Sequence, residues 1–312
     1  MSKITALLGA LVTVALVGGS LVQAPQAQAF TSTSQLKSAL VPSMCDNPSG
    51  RLVNGKLRGH YVYLDQKKSK LGQIRKGGKK EAVAVFECSQ GGVNWPEHVV
   101  FYGSGGKIIG HYDTGFVKQK GAYVARQTIQ SVSISKKGVV TVNVIEVPLK
   151  GDNDQWGSAG AKLTFAWDAK QGRVVRKSTK IYSDVKGAAK KLISLVKAGK
   201  TKQAKSYASA GIVKELSSIW KDIKKQNKAA YRKGSIKLGS CGGQYSGGAW
   251  GDVYQDYLFG ERGCVVTINW PMSKKDLEME SGVTDFLLVF GHKSSDKKWK
   301  SWYATSFVQL DN

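Results

Sequence analysis

Between residues 61 and 181 the apolar side chains never hold a helical period; they fall in short runs cut by Gly, Lys and Asp. Residues 61–64, 82–86 and 98–102 are strand-like, and the last run is followed by Gly103-Ser104-Gly105-Gly106 and a further run at 107–110. Residues 129–134 alternate, and Lys136-Lys137-Gly138 turns them into 139–144. Residues 162–167 and 173–181 form one more pair, turned at Asp168-Ala169-Lys170-Gln171-Gly172. Short runs separated by turn residues build antiparallel hairpins rather than helices. Residues 30–183 are therefore expected to form an all-β meander domain, entered through a short Thr/Ser-rich lead-in over 30–44.

The pattern changes at Ser183-Asp184. Asp184 can cap a helix on which Ala188, Leu192, Leu195 and Val196 share one face, with lysines opposite. Gly199 can end that helix and Thr201 can start a second, with Ala204, Tyr207 and Ala208 inward. A third helical pattern runs from Ile212 to about Tyr231 through Leu216, Ile219, Trp220 and Ile223. Beyond Gly234 strands return at 236–238, 252–259, 264–270, 286–290 and 299–310. Three helices followed by an antiparallel sheet predict a second, α+β domain over 184–312.

The chain opens with one lysine, an apolar stretch over 4–17 and a small-residue ending, Ala27-Gln28-Ala29. Small side chains at −1 and −3 are what signal peptidase requires, so residues 1–29 are expected to be a signal peptide cut after Ala29. No cysteine follows the apolar run, so no lipid anchor is expected there, and no later stretch is apolar enough to span a membrane. The four cysteines then meet an oxidising space. They allow three pairings, but Cys45 and Cys88 lie in the first half and Cys241 and Cys264 in the second. One bridge per half is the simplest arrangement. No Cys-x-x-Cys is present, and His60, His98, His111 and His292 are scattered, so neither metal nor cofactor is expected.

The net charge is +25, mostly from lysines spread as pairs such as Lys67-Lys68, Lys136-Lys137 and Lys190-Lys191. Lysine acts as a point charge, where arginine would favour bidentate recognition. Lysines dispersed in this way serve either solubility or non-specific attraction to polyanions, and the expected partners in the second case are anionic wall polymers.

Residues 71–83, Leu71-Gly72-Gln73-Ile74-Arg75-Lys76-Gly77-Gly78-Lys79-Lys80-Glu81-Ala82-Val83, resemble the FG-GAP-like repeat of actinobacterial LppP/LprE-type envelope lipoproteins. Cys88, Gly91-Gly92, Trp95-Pro96 and Val99-Val100-Phe101-Tyr102 resemble the same family's continuation, so the likeness covers about 41–112. It implies an exported envelope protein. Positions that the family fills with acidic ligands are Gln73 and Gly77 here, and one of its glycines is Lys76. A loop holding Arg75, Lys76, Lys79 and Lys80 repels calcium, so no calcium site is carried over. Residues 184–310 resemble, by helix order and spacing, the ketosteroid-isomerase-like cone fold, which implies a curved sheet around a pocket but no function.

No catalytic residue stands out. Gly103-Ser104-Gly105 reads as a hairpin turn rather than a nucleophile elbow, and His98 and His111 can meet across that hairpin. Asp252 and Asp256, four residues apart among Trp250, Tyr254 and Tyr257, are candidate sugar contacts. Asp152-Asn153-Asp154-Gln155-Trp156 is a second acid–aromatic cluster, otherwise a solvated loop. Trp299 and Trp302, interleaved with Lys300, can stack on sugars or bases or form a half-buried edge strand. Asp285 is a possible base if the cone encloses a pocket. The expected function is that of a secreted, non-enzymatic, envelope-associated binding or structural protein. The alternative is an enzyme using the second domain's pocket, or a glycan-active protein.

Overall fold

The computed structural model describes residues 29–89, 95–122, 126–152, 157–243, 261–278 and 282–310. The expected signal segment lies outside them, apart from Ala29. The described chain is β-rich, with three antiparallel sheets whose strand order follows the chain. The first holds seven strands: β1 (Leu40–Val41), β2 (Gly50–Val53), β3 (Lys56–Leu57), β4 (Val62–Gly72), β5 (Glu81–Cys88), β6 (His98–Tyr102) and β7 (Ile108–Asp113). The second holds β8 (Thr128–Ile134), β9 (Val140–Val147), β10 (Ala159–Asp168) and β11 (Arg173–Ile181). Helices α1 (Val185–Lys197), α2 (Thr201–Ala204) and α3 (Ala210–Gln226) come next. The third sheet then holds β12 (Ser235–Gly243), β13 (Arg262–Asn269), β14 (Val283–Gly291) and β15 (Tyr303–Gln309).

Period-2 alternation explains how the first sheet serves two cores. Val83, Val85, Val99 and Phe101 face the second sheet, meeting Val140, Val142, Val144, Leu163 and Phe165. Ala82, Ala84, Phe86, Val100 and Tyr102 face the opposite way. They are covered by Phe30, Leu36, Val41 and Met44, so the expected polar lead-in is a packed segment instead. Leu52, Leu57 and Val62 complete that core. The two sheets meet at glycines. A Cβ at Gly72 would lie 2.9 Å from Ile134, and one at Gly110 would lie 3.0 Å from Val174.

β4 runs far beyond the four apolar residues that announce it. Its pairing with β5 shifts register between Asp65 and Lys70. The buried Ser69 Oγ accepts from Val85 N there and donates to Asp65 O. A bulge with a hydroxyl in the ladder lets a lysine-rich stretch stay extended.

Asp184 caps α1 as expected, its Oδ1 accepting from Gly187 N at 2.8 Å. The buried stripe is Val185, Ala189, Leu192, Ile193, Leu195 and Val196, with Ala188 half-buried. Together with Ile212, Leu216 and Ile223 of α3 it covers one face of the third sheet, against Val266, Ile268, Phe286, Leu288 and Ala304. These residues and the core between the first two sheets form one contiguous apolar cluster. The bridges are Cys45–Cys88 and Cys241–Cys264, the second lying directly across β12 and β13. Among the described residues no helix is long and apolar enough to cross a membrane.

Candidate functional site

β11 leaves its sheet at Ile181, and α1 starts four residues later at Val185. The connecting Tyr182-Ser183-Asp184 lines a cleft of about 620 Å³ together with residues from α1, the 206–207 turn and the 300–302 segment. Three lysines reach it from three elements: Lys180 from β11, Lys191 from α1 and Lys300 from the segment before β15. None of the three forms an ion pair among the described residues. Tyr182, Tyr207 and Trp302 supply aromatic surface beside them. The one carboxylate in the lining, Asp184, is occupied by its capping bond.

The segment carrying Lys300 is held from several sides. Trp302 is buried, and its Nε1 donates to Tyr182 O at 3.1 Å. Ser301 N donates to Asp296 Oδ2 at 2.7 Å. The backbone of Lys298 and Trp299 lies on β10 where only glycine fits, since a Cβ at Gly160 would sit 2.3 Å from Lys298 O. The His292 ring stacks 4.8 Å from Trp299 and lies 4.5 Å from Trp302. Its two nitrogens are each 2.9 Å from a carbonyl oxygen, of Ser301 and of Ser158. Burial pulls the imidazole below its ordinary pKa, although both carbonyls favour the protonated ring.

Of the expected contact residues, Trp302 lines the cleft, and Trp299 stands behind it on His292. The expected strand over 299–310 starts later, at Tyr303. Trp299 has a φ of +49°, in the left-handed region and outside extended strand geometry. Asp252, Tyr254 and Asp256 lie outside the described residues, as do Trp250, Tyr257, Asp154 and Trp156. Asp152 is not solvated. It is buried and pairs with Arg262 Nη1 at 2.5 Å, while its Oδ2 accepts from Leu149 N and Ser158 N. Asp285 alternates with Phe286 along β14, so it stands on the sheet face turned away from the helices, beside Leu287. A base in a pocket under the helices cannot come from there.

His98 and His111 do meet, Nδ1 to Nε2 at 2.9 Å, because β6 and β7 pair Val100 with His111. Burial draws the His98 pKa down to about 4, with His111 adding to the shift and Asp113 opposing it. A ring nitrogen of His98 and the sulfurs of Cys45 and Cys88 all lie within 4.8 Å of one another. The sulfurs are bonded to each other, so they offer no thiolate to a metal. Nearby, Glu97 accepts from Lys68 Nζ at 2.8 Å and from Ile129 N at 2.6 Å. Burial pushes its carboxyl up to about 7 against the pull of Lys68.

Sequence reasoning missed Lys180, Tyr182, Lys191 and Tyr207 as members of one site. Nothing local links them; they converge only because α1 folds back beside the end of β11. The Lys300–Trp302 cluster was the single legible part.

Fold and cleft together define a β-rich, disulfide-bonded protein with a basic, aromatic cleft. No protein-family model matches the chain, and no curated protein matches it. Among solved structures, rhamnogalacturonan lyase YesW is similar over 88% of this chain and 37% of that one, at 9% identity and a TM-score of 0.27. The chain thus spans little more than a third of that protein's length. A likeness of that depth assigns neither fold family nor activity.

Proposed function

We propose that this is an exported, non-enzymatic binding protein of the cell envelope, retained on anionic wall polymers by its basic surface. Residues 1–29 direct export and are removed after Ala29. The mature chain is organised as 30–183, of which about 41–112 is similar to LppP/LprE-type domains, and 184–312, similar to cone-fold domains. The observation that carries the binding role is the cleft, where Lys180, Lys191 and Lys300 stand free of carboxylate partners among the described residues, beside Tyr182, Tyr207 and Trp302. Lysines attract anionic groups, and the half-buried rings of Tyr182 and Tyr207 give sugar faces a surface to stack on. The lining holds no histidine or cysteine, and its one carboxylate is committed to the helix cap. Two disulfides suit an oxidising compartment.

The test is adsorption of the full mature chain to purified anionic wall polymer over a salt series. Binding should fall steeply with salt. The triple variant K180Q/K191Q/K300Q should bind more weakly, with a log–log salt slope shallower by about 2 to 3. Equal adsorption to a neutral polymer, or no effect of the variant, would overturn the role of the cleft.

A further inference from the structure

A second basic cavity lies far along the chain from the cleft residues. It has a volume of about 350 Å³ and is lined by Gln73, Arg75, Lys76, Lys136, Lys137 and Gly138. Two turns from different sheets make it. In the β4–β5 connection Gly78 N donates to Arg75 O, with Lys76 and Gly77 at the tip and Gly77 at φ +72°. In the β8–β9 connection Gly138 N donates to Ser135 O, with Lys136 and Lys137 at the tip. Both turns thus hold their lysines at tip positions, where side chains project outward.

The turns are locked together. A Cβ on Gly138 would sit 2.4 Å from Ile74 O, so the two backbones touch. The buried carboxylate of Glu81 accepts from Ile74 N at 2.9 Å and Arg75 N at 2.8 Å, and it pairs with the Arg75 guanidinium. Arg75 also lies over the Trp167 ring, 5.3 Å from its centroid. Glu81 therefore balances Arg75. Lys76, Lys136 and Lys137 form no ion pair among the described residues, and the lining holds no carboxylate. A concave surface built on two touching backbones and carrying three ammonium groups without ion pairs attracts a compact, multiply charged oxyanion.

We propose that the paired turns 73–80 and 135–139 bind a phosphate ester group of an anionic polymer. This rests on the polyanion reading above and names the group that this second site takes. Phosphate suits it better than carboxylate. A phosphate monoester carries nearly two charges over three free oxygens, so three lysines from two turns can each meet one, where a carboxylate offers one charge on two oxygens.

Inorganic pyrophosphate is the first probe, followed by amide and side-chain NMR on the full mature chain at low salt. Saturable shifts should centre on Lys76, Lys136, Lys137 and Gly138. The variant K76Q/K136Q/K137Q should weaken pyrophosphate binding by about tenfold or more. K180Q/K191Q/K300Q should leave the shifts at Lys76, Lys136, Lys137 and Gly138 unchanged, and K76R/K136R/K137R should retain them. Shifts spread evenly over all surface lysines, or equal losses in both triple Gln variants, would overturn the site. A poly(glycerol phosphate) chain ending in a phosphomonoester and a polygalacturonate chain separate phosphate from carboxylate polymers. If the second binds as tightly as the first and depends equally on the three lysines, the phosphate assignment fails. If the full chain adsorbs to wall polymer while pyrophosphate never saturates, this inference fails and the envelope role stands. If neither binds, both fail.

Discussion

Arg262 and Asp152, 110 residues apart in the chain, form a buried ion pair between β13 and the turn that precedes β10. Arg262 Nη2 also donates to Lys150 O at 3.0 Å, and Ser158 Oγ donates to Asp152. The pair ties the third sheet to the second. Removing Asp152 takes away the carboxylate that Arg262 Nη1 meets in the buried site. Asp152→Ala should lower stability by about 3–5 kcal/mol. Urea unfolding checks this, and a loss below about 1 kcal/mol would show that the carboxylate is not needed there.

His98 makes stability depend on acid. Its folded pKa of about 4 lies below the ordinary 6.5, chiefly through burial. The unfolded chain therefore binds the proton more readily, so stability is full above about 6.5 and is lost as pH falls through about 4. The loss is on the order of 3 kcal/mol. Glu97, raised to about 7 by burial, acts with the opposite sign, its contribution fading as pH rises from 4.5. Comparing wild type with His98→Gln cancels Glu97. Melting temperatures between pH 7 and pH 4 should drop less steeply in the variant; parallel curves would refute the assignment.

The bridges close loops of different length, with 43 residues separating Cys45 from Cys88 and 23 separating Cys241 from Cys264. Replacing the first pair by serine should cost about 4 kcal/mol and the second about 3 kcal/mol in the chain-entropy view. The first loss should also loosen the N-terminal cover over Phe86 and Tyr102. Amide exchange would register that as faster exchange in β5 and β6 for the first pair alone.

Gly160 tests how the cleft is held. Alanine there meets the Lys298 and Trp299 carbonyls, so the 298–302 segment must move. Gly160→Ala should lower stability by about 1–3 kcal/mol. It should also weaken polymer binding that depends on Lys300. Unchanged binding would mean that the segment's position does not matter to the cleft.

The hairpins of 98–110, 129–144 and 162–181 were legible because each has a turn signal between apolar runs. So were the Asp184 cap and the cysteine pairs. β1, β2 and β3 were not, because two to four residues carry too little pattern to register. The lysine-rich half of β4 was hidden for another reason. Its extended form comes from the Ser69 hydroxyl and the charges of Asp65, Glu87 and Glu97 around Lys68, which are tertiary contacts. The cleft lysines follow the same rule. Their spacing in the chain says nothing until α1 has docked, whereas the Trp299–Trp302 cluster was visible as a local run of rings.

In each sheet, every described strand pairs with the strand made just before it. A chain delivered N-terminus first, from a ribosome or through a narrow pore, can therefore lengthen each sheet by one edge at a time. No strand has to wait unpaired for a partner not yet delivered, which shortens the interval in which a bare edge is open to another molecule. The Asp152–Arg262 tie is one of the contacts that differ. It cannot close until β13 arrives, so the acceptor around Asp152 is assembled early and completed late.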